Sequence, residues 1–121
     1  MKKIYVCSPL SGDIENNIKK ARNYCRKIMH EGNMPLAPHI YFTQFLNDEK
    51  QEERIIGMNM GLIWLKECDE IWVFCQNGIS SGMKAEIEYA EKIKIPIRYI
   101  KTYKKKMETT YLGKIEKSKN K

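Results

Sequence analysis

Short runs of β-branched, aromatic and aliphatic residues alternate along this chain with longer stretches whose apolar positions recur at helical spacing. Lys3 to Cys7 is the first run and predicts a buried strand, ended by Ser8-Pro9-Leu10-Ser11-Gly12-Asp13. From there Ile14, Ile18, Ala21, Cys25, Ile28 and Met29 keep a helical period, with Asp13 placed as N-cap and Glu31-Gly32 as a stop. Met34 to Ala37 reads as a second short strand closed by Pro38-His39, and Pro35 puts it near a sheet edge. The aromatic stretch Ile40 to Leu46 fits either a loop or a short helix. Its side chains would serve as a hydrophobic cover on the core or as an aromatic wall for a base or ribose.

Asn47 or Asp48 is the expected cap of a helix running from about Glu49 to Lys66. Ile55, Met58, Leu62 and Leu65 form one apolar stripe, and Ile56, Met60 and Ile63 widen it beyond the face that one sheet covers. This predicts a homodimer or higher homo-oligomer through the 49–66 helix, with Gly57 and Gly61 spaced for close approach of a partner helix. The unbroken apolar run Ile71 to Cys75 suits a central parallel strand. A glycine- and serine-containing turn, Asn77 to Gly82, then leads into a helix with Met83, Ile87 and Ala90 inward, and Ile95 to Ile100 is the last strand. The order β-α-β-α-β-α-β predicts an α/β fold, a parallel sheet with helices on both faces. Ligands in such sheets bind beyond the carboxyl ends of the strands, which here are the loops Ser8–Asp13, Pro38–Phe45 and Gln76–Gly82.

At 121 residues the chain is long enough for one self-sufficient core, with residues 1–102 as the domain and 103–121 as a lysine-rich tail. The net charge of +7 sits mostly in that tail, so the body is nearly neutral and nucleic acid is not the expected partner. No apolar run approaches the roughly 20 residues of a membrane span, and the first residues hold too short an apolar segment for a signal peptide. The expectation is therefore a cytoplasmic protein with no membrane partner. Cys7, Cys25, Cys68 and Cys75 are isolated from one another, which favours buried reduced thiols over a disulfide or zinc site.

Neither a GxxxxGK[ST] loop, nor GxGxxG, nor GxSxG, nor HExxH occurs, so kinase, dehydrogenase, serine hydrolase and zinc-enzyme readings lose weight, and neither metal nor organic cofactor is expected. What remains is a carboxylate, Glu86, about one turn into the helix behind the Asn77–Gly82 turn. Such a turn gathers free N–H groups and the positive end of the helix dipole, a seat for an anion. The dipole favours an ionised Glu86, which suits a nucleophile or general base. The plainer alternative is that Ser80 or Ser81 only caps the helix and Glu86 is a surface glutamate.

Ser80-x-Gly82-x-x-x-Glu86 after the strand Ile71 to Cys75 resembles the nucleophile motif of nucleoside 2-deoxyribosyltransferases and of deoxynucleoside 5′-monophosphate N-glycosidases. Ile4-Tyr5-Val6-Cys7 with Ser8 to Gly12 is similar to their first strand and loop, and Trp64-Leu65-x-x-x-Asp69 also fits; the similarity spans about residues 3–100. The resemblance implies a flavodoxin-like or Rossmann-like sheet, a homo-oligomer, and cleavage or transfer at the N-glycosidic bond of a small-molecule nucleotide or nucleoside. It makes Glu86 the nucleophile and Tyr5 its orienting neighbour. Ser80 and Gly82 would hold a 5′ phosphate or hydroxyl, with Ser81, Ser8, Ser11, Gly12 and His39 as further candidates for substrate binding. Serine at position 80, where the transferases carry an acid, favours a nucleotide over a free nucleoside.

Two departures stand out. The family places an aspartate in the helix before the central strand, where this chain has Gly61, with Asn59 nearby as the catalytic candidate; asparagine cannot donate a proton at neutral pH. The first loop is Ser8-Pro9-Leu10-Ser11 rather than one bearing arginine. Binding without turnover, the sequestration of a nucleotide-derived signal, is thus the rival expectation.

Overall fold

The computed structural model describes residues 1–101, so the lysine-rich tail lies outside the described residues. Four parallel strands, β1 (Lys3–Cys7), β2 (Met34–Leu36), β3 (Glu70–Phe74) and β4 (Ile97–Ile100), lie in the order β2-β1-β3-β4. β2 holds the edge, as Pro35 requires, and β1 and β3 are central. In the register, Tyr5 stands beside Leu36 on one side and Ile71 on the other, and Cys7 beside Val73.

Strand alternation divides the core into two layers. Ile4, Val6, Trp72 and Phe74 point to one face, where Tyr24 and Ile28 of α1 (Ile14–His30) cover them; Tyr24 stacks on Phe74 at 4.0 Å. Tyr5, Cys7, Ile71 and Val73 point to the other, beneath Leu65 of α3 (Gln51–Lys66) and Met83, Ile87 and Ala90 of α4 (Ser81–Lys92). Helices thus cover both faces. Asp13 caps α1 by accepting the Asn16 N–H, and α1 ends at Glu31 with Gly32 at φ 85°, a conformation that glycine adopts without a Cβ clash.

One open alternative is decided and two details differ from the sequence expectation. The ambiguous aromatic stretch contributes a short helix, α2 (Pro38–Phe42), with proline in its first turn. Neither Asn47 nor Asp48 caps α3. Asn47 instead turns the chain, its side chain accepting the Glu49 N–H and its carbonyl the Lys50 N–H, so the helix starts after Lys50. Gly57 and Gly61 face inward rather than toward a partner helix: a Cβ at Gly57 would meet Leu46 Cδ1 at 3.4 Å, and one at Gly61 would meet Tyr5 Oη at 2.9 Å. The rest of the apolar surface of α3 is uncovered in the single chain, with Ile55, Ile56, Met58 and Ile63 exposed. No helix of the described residues is long and apolar enough to cross a membrane.

Candidate active site

The strand order reverses between β1 and β3, since the chain runs outward to β2 from one and to β4 from the other. The loops leaving these strands open a crevice at their carboxyl ends, roofed by α2, α3 and the start of α4. A cavity of about 170 Å³ occupies it, lined by residues of all these elements.

At its floor the phenol of Tyr5 donates a hydrogen bond to Glu86 Oε2. Two residues along β1, on the same face, the Cys7 thiol lies 3.6 Å from Glu86 Oε1, with Met83 O as its other acceptor at 3.8 Å. The carboxylate therefore has one donor on each oxygen, both supplied by one strand. Glu86 reaches this place because it sits three residues after Met83 and four before Ala90, on the buried stripe of α4. It is not a surface side chain; its open side lines the cavity.

Burial raises Glu86 to about 7, against the opposing pull of the Tyr5 and Cys7 hydrogen bonds. The expectation of a dipole-stabilised carboxylate is thus overruled by desolvation. Burial also pushes Tyr5 well up and, helped by the Glu86 charge, raises Cys7, so both remain protonated donors at neutral pH.

Ser80 is the N-cap of α4: its Oγ accepts the Met83 N–H at 3.3 Å, and its own N–H approaches Met83 Sδ at 3.5 Å. It also lines the cavity with Ser81 and Gly82, so capping and a ligand-facing position coincide. Ser8 and His39 are buried in the wall. His39 Nε2 donates to the Ser8 carbonyl at 2.5 Å, which fixes the tautomer and pins the first loop to α2; burial lowers the His39 pKa and keeps the ring neutral. Ser11 lines the cavity and donates to Asp48 Oδ2 at 3.1 Å.

Two sequence candidates fall outside. Gly12 shapes the loop with φ 97° but does not line the cavity. Asn59 is exposed and absent from the lining, because the cavity face of α3 carries Glu53, Arg54, Gly57, Met58, Gly61 and Leu62, and position 59 falls on the opposite side of the helix. Gly61, not Asn59, confronts Tyr5. Sequence reasoning missed Arg54, Glu53 and Asp48; the helical offsets of 53, 54, 57, 58, 61 and 62 were the available signal. Phe42 is both core and wall: it is buried, packs on Trp64 at 4.7 Å and lines the cavity.

Solved structures of 2-deoxyribosyltransferases share this α/β fold. The 2-deoxyribosyltransferase of the psychrotolerant bacterium Bacillus psychrosaccharolyticus is similar over 90% of this chain and 81% of its own, at 18% identity and a TM-score of 0.60. That of Leishmania mexicana is similar over 83% of this chain but only 64% of its own, at 17% and 0.61. The Clostridium botulinum CMP N-glycosidase BcmB is similar over 95% and 98%, at 16% and 0.51. The chain itself belongs to the family described as domain of unknown function DUF7768, whose model matches residues 2–100. No curated protein matches it.

Proposed function

We propose that the protein hydrolyses or transfers the N-glycosidic bond of a nucleoside 5′-monophosphate or related nucleotide, with Glu86 as nucleophile. The observation that carries this reading is the Glu86 carboxylate held by Tyr5 and Cys7 beneath a cavity at the sheet's switch point. The solved structures sharing the fold, two transferases and a CMP N-glycosidase, support the reaction class. Ionised Glu86 attacks the anomeric carbon. The C–N bond breaks with its electron pair on the base nitrogen, which takes a proton from solvent, and the glycosyl ester is resolved by water or a second base. As the centre passes through oxocarbenium character, the carboxylate offsets the growing positive charge. Tyr5 and Cys7 fix the carboxylate's orientation, so little motion precedes attack.

Gly61 favours a second reading, binding without turnover, because the α3 position that confronts Tyr5 carries no side chain and so no acid for the leaving base. The distinguishing test incubates the protein at high concentration with nucleoside 5′-monophosphates of each base and follows free base by chromatography. Base release supports the enzyme; tight binding without release supports sequestration of a nucleotide-derived molecule. A homodimer or larger assembly covering Ile55, Ile56, Met58 and Ile63 belongs to the same proposal, and sedimentation of wild type and Ile56→Glu tests it.

A further inference from the structure

Among the described residues lining the cavity above Glu86, Arg54 is the sole lysine or arginine. It lies one turn before Gly57 and Met58 and two before Gly61 and Leu62, at the middle of the cavity face of α3. The side chain is partly buried, yet no ion pair to it occurs among the described residues. Besides Glu86, two carboxylates line the cavity, and each has a partner of its own. Asp48 accepts from Ser11 Oγ at 3.1 Å, while Glu53 accepts the Asn47 N–H at 3.2 Å and faces Lys50 at 3.8 Å. Arg54 thus lines the cavity with no ion pair or side-chain hydrogen bond of its own among the described residues, and its guanidinium is available to an arriving anion. The same cavity is lined by Ser81 and Gly82 in the first turn of α4, where a helix has no acceptor for its own N–H groups. The first loop, Leu10 and Ser11 at the cavity, brings no cation.

From this arrangement we infer that Arg54 recognises a phosphomonoester on the ligand and so sets the preference for a nucleoside 5′-monophosphate over the nucleoside. The cation that the first loop lacks is supplied from α3. Guanidinium matches a phosphate through paired N–H donors, which lysine does not reproduce. Ser80 adds no charge at the start of α4, so a phosphate meets no repulsion from position 80. The inference rests on the nucleotide reading only for the nature of the ligand, and binding alone tests it, so it survives even where no base is released.

The experiment is calorimetric or fluorescence titration of wild type, Arg54→Gln and Arg54→Lys with matched pairs of nucleoside and nucleoside 5′-monophosphate, and with inorganic phosphate. Position 54 is partly exposed on a helix, and both substitutes are good helix formers; ligand-free thermal unfolding checks that the variants fold. Wild type is expected to prefer the monophosphate by about 10- to 100-fold, the range of a charge-assisted contact. Arg54→Gln should abolish that preference while leaving nucleoside affinity unchanged, and Arg54→Lys should restore part of it. An unchanged preference in Arg54→Gln overturns the inference, as do equal affinities in wild type, equal losses for both members of a pair, or no binding of either. Discrimination through Arg54 without base release would overturn the glycosidic reading and leave this one standing.

Discussion

Tyr5 and Glu86, 81 residues apart in sequence, are joined by a hydrogen bond from the phenol to one carboxylate oxygen, at the meeting point of β1 and α4. The bond favours the ionised carboxylate and opposes the burial that keeps it protonated. Tyr5→Phe keeps the ring and deletes the donor. Glu86 should then titrate above about 7, and base release at neutral pH should fall about 10- to 100-fold, the worth of a hydrogen bond to a charged group. A pH–rate profile of the variant checks both.

Gly61 is the counterpart of this contact on α3. A methyl group there would lie 2.9 Å from Tyr5 Oη, closer than unbonded atoms settle, so Gly61→Ala must displace the phenol or the helix. Its functional defect should resemble that of Tyr5→Phe, with a stability loss of about 1–3 kcal/mol from overpacking. Denaturant unfolding and the pH–rate profile together test this, and a Gly61→Ala protein with wild-type profile and stability would contradict it.

Much of the frame was legible in the chain. The run Lys3–Cys7 is β1 to the residue, Asp13 caps α1, and Pro35 marks the edge strand, because each signal is local steric or capping chemistry. The start of α3 was not, since Asn47 satisfies its side chain in a turn that competes with capping. Asn59 is only the polar neighbour of Gly61 in sequence, whereas helix phase decides which α3 residues reach the cavity, and it admits Gly61 and not Asn59. Arg54 carried no signal in isolation, because a charged residue on a helix ordinarily reads as solvated. The ionisation of Glu86 was misjudged from the dipole alone, since burial comes from α3 and β1, far away in sequence.

That burial makes stability depend on pH. Glu86 titrates near 4.5 when exposed and at about 7 in the fold, so between these values the folded protein holds a proton that the unfolded chain has released. Stability therefore falls as pH rises from about 4.5 to 7 and stays reduced above, by roughly 3 kcal/mol from this group. Glu86→Gln removes the penalty while keeping the shape. It should melt above wild type at pH 8 and match it near pH 4.5; a calorimetric comparison at the two pH values decides.

Ser80 joins capping to ligand contact, and two substitutions separate these. Ser80→Ala loses the acceptor for the Met83 N–H and should cost about 1 kcal/mol of stability. Ser80→Asp keeps a cap but adds negative charge, so stability should hold while nucleoside 5′-monophosphates bind more weakly relative to nucleosides. Equal losses for both ligands would argue against a phosphate at this turn.

The central claim concerns what Glu86 does, and base release by wild type and Glu86→Ala tests it most directly. Both proteins are incubated with nucleoside 5′-monophosphates from pH 5 to 9, and free base and sugar phosphate are quantified. The account predicts release by wild type that rises as pH passes about 7, where Glu86 ionises, and none by Glu86→Ala, which still folds. Release by Glu86→Ala at the wild-type rate, or no release by wild type at any pH, would contradict it.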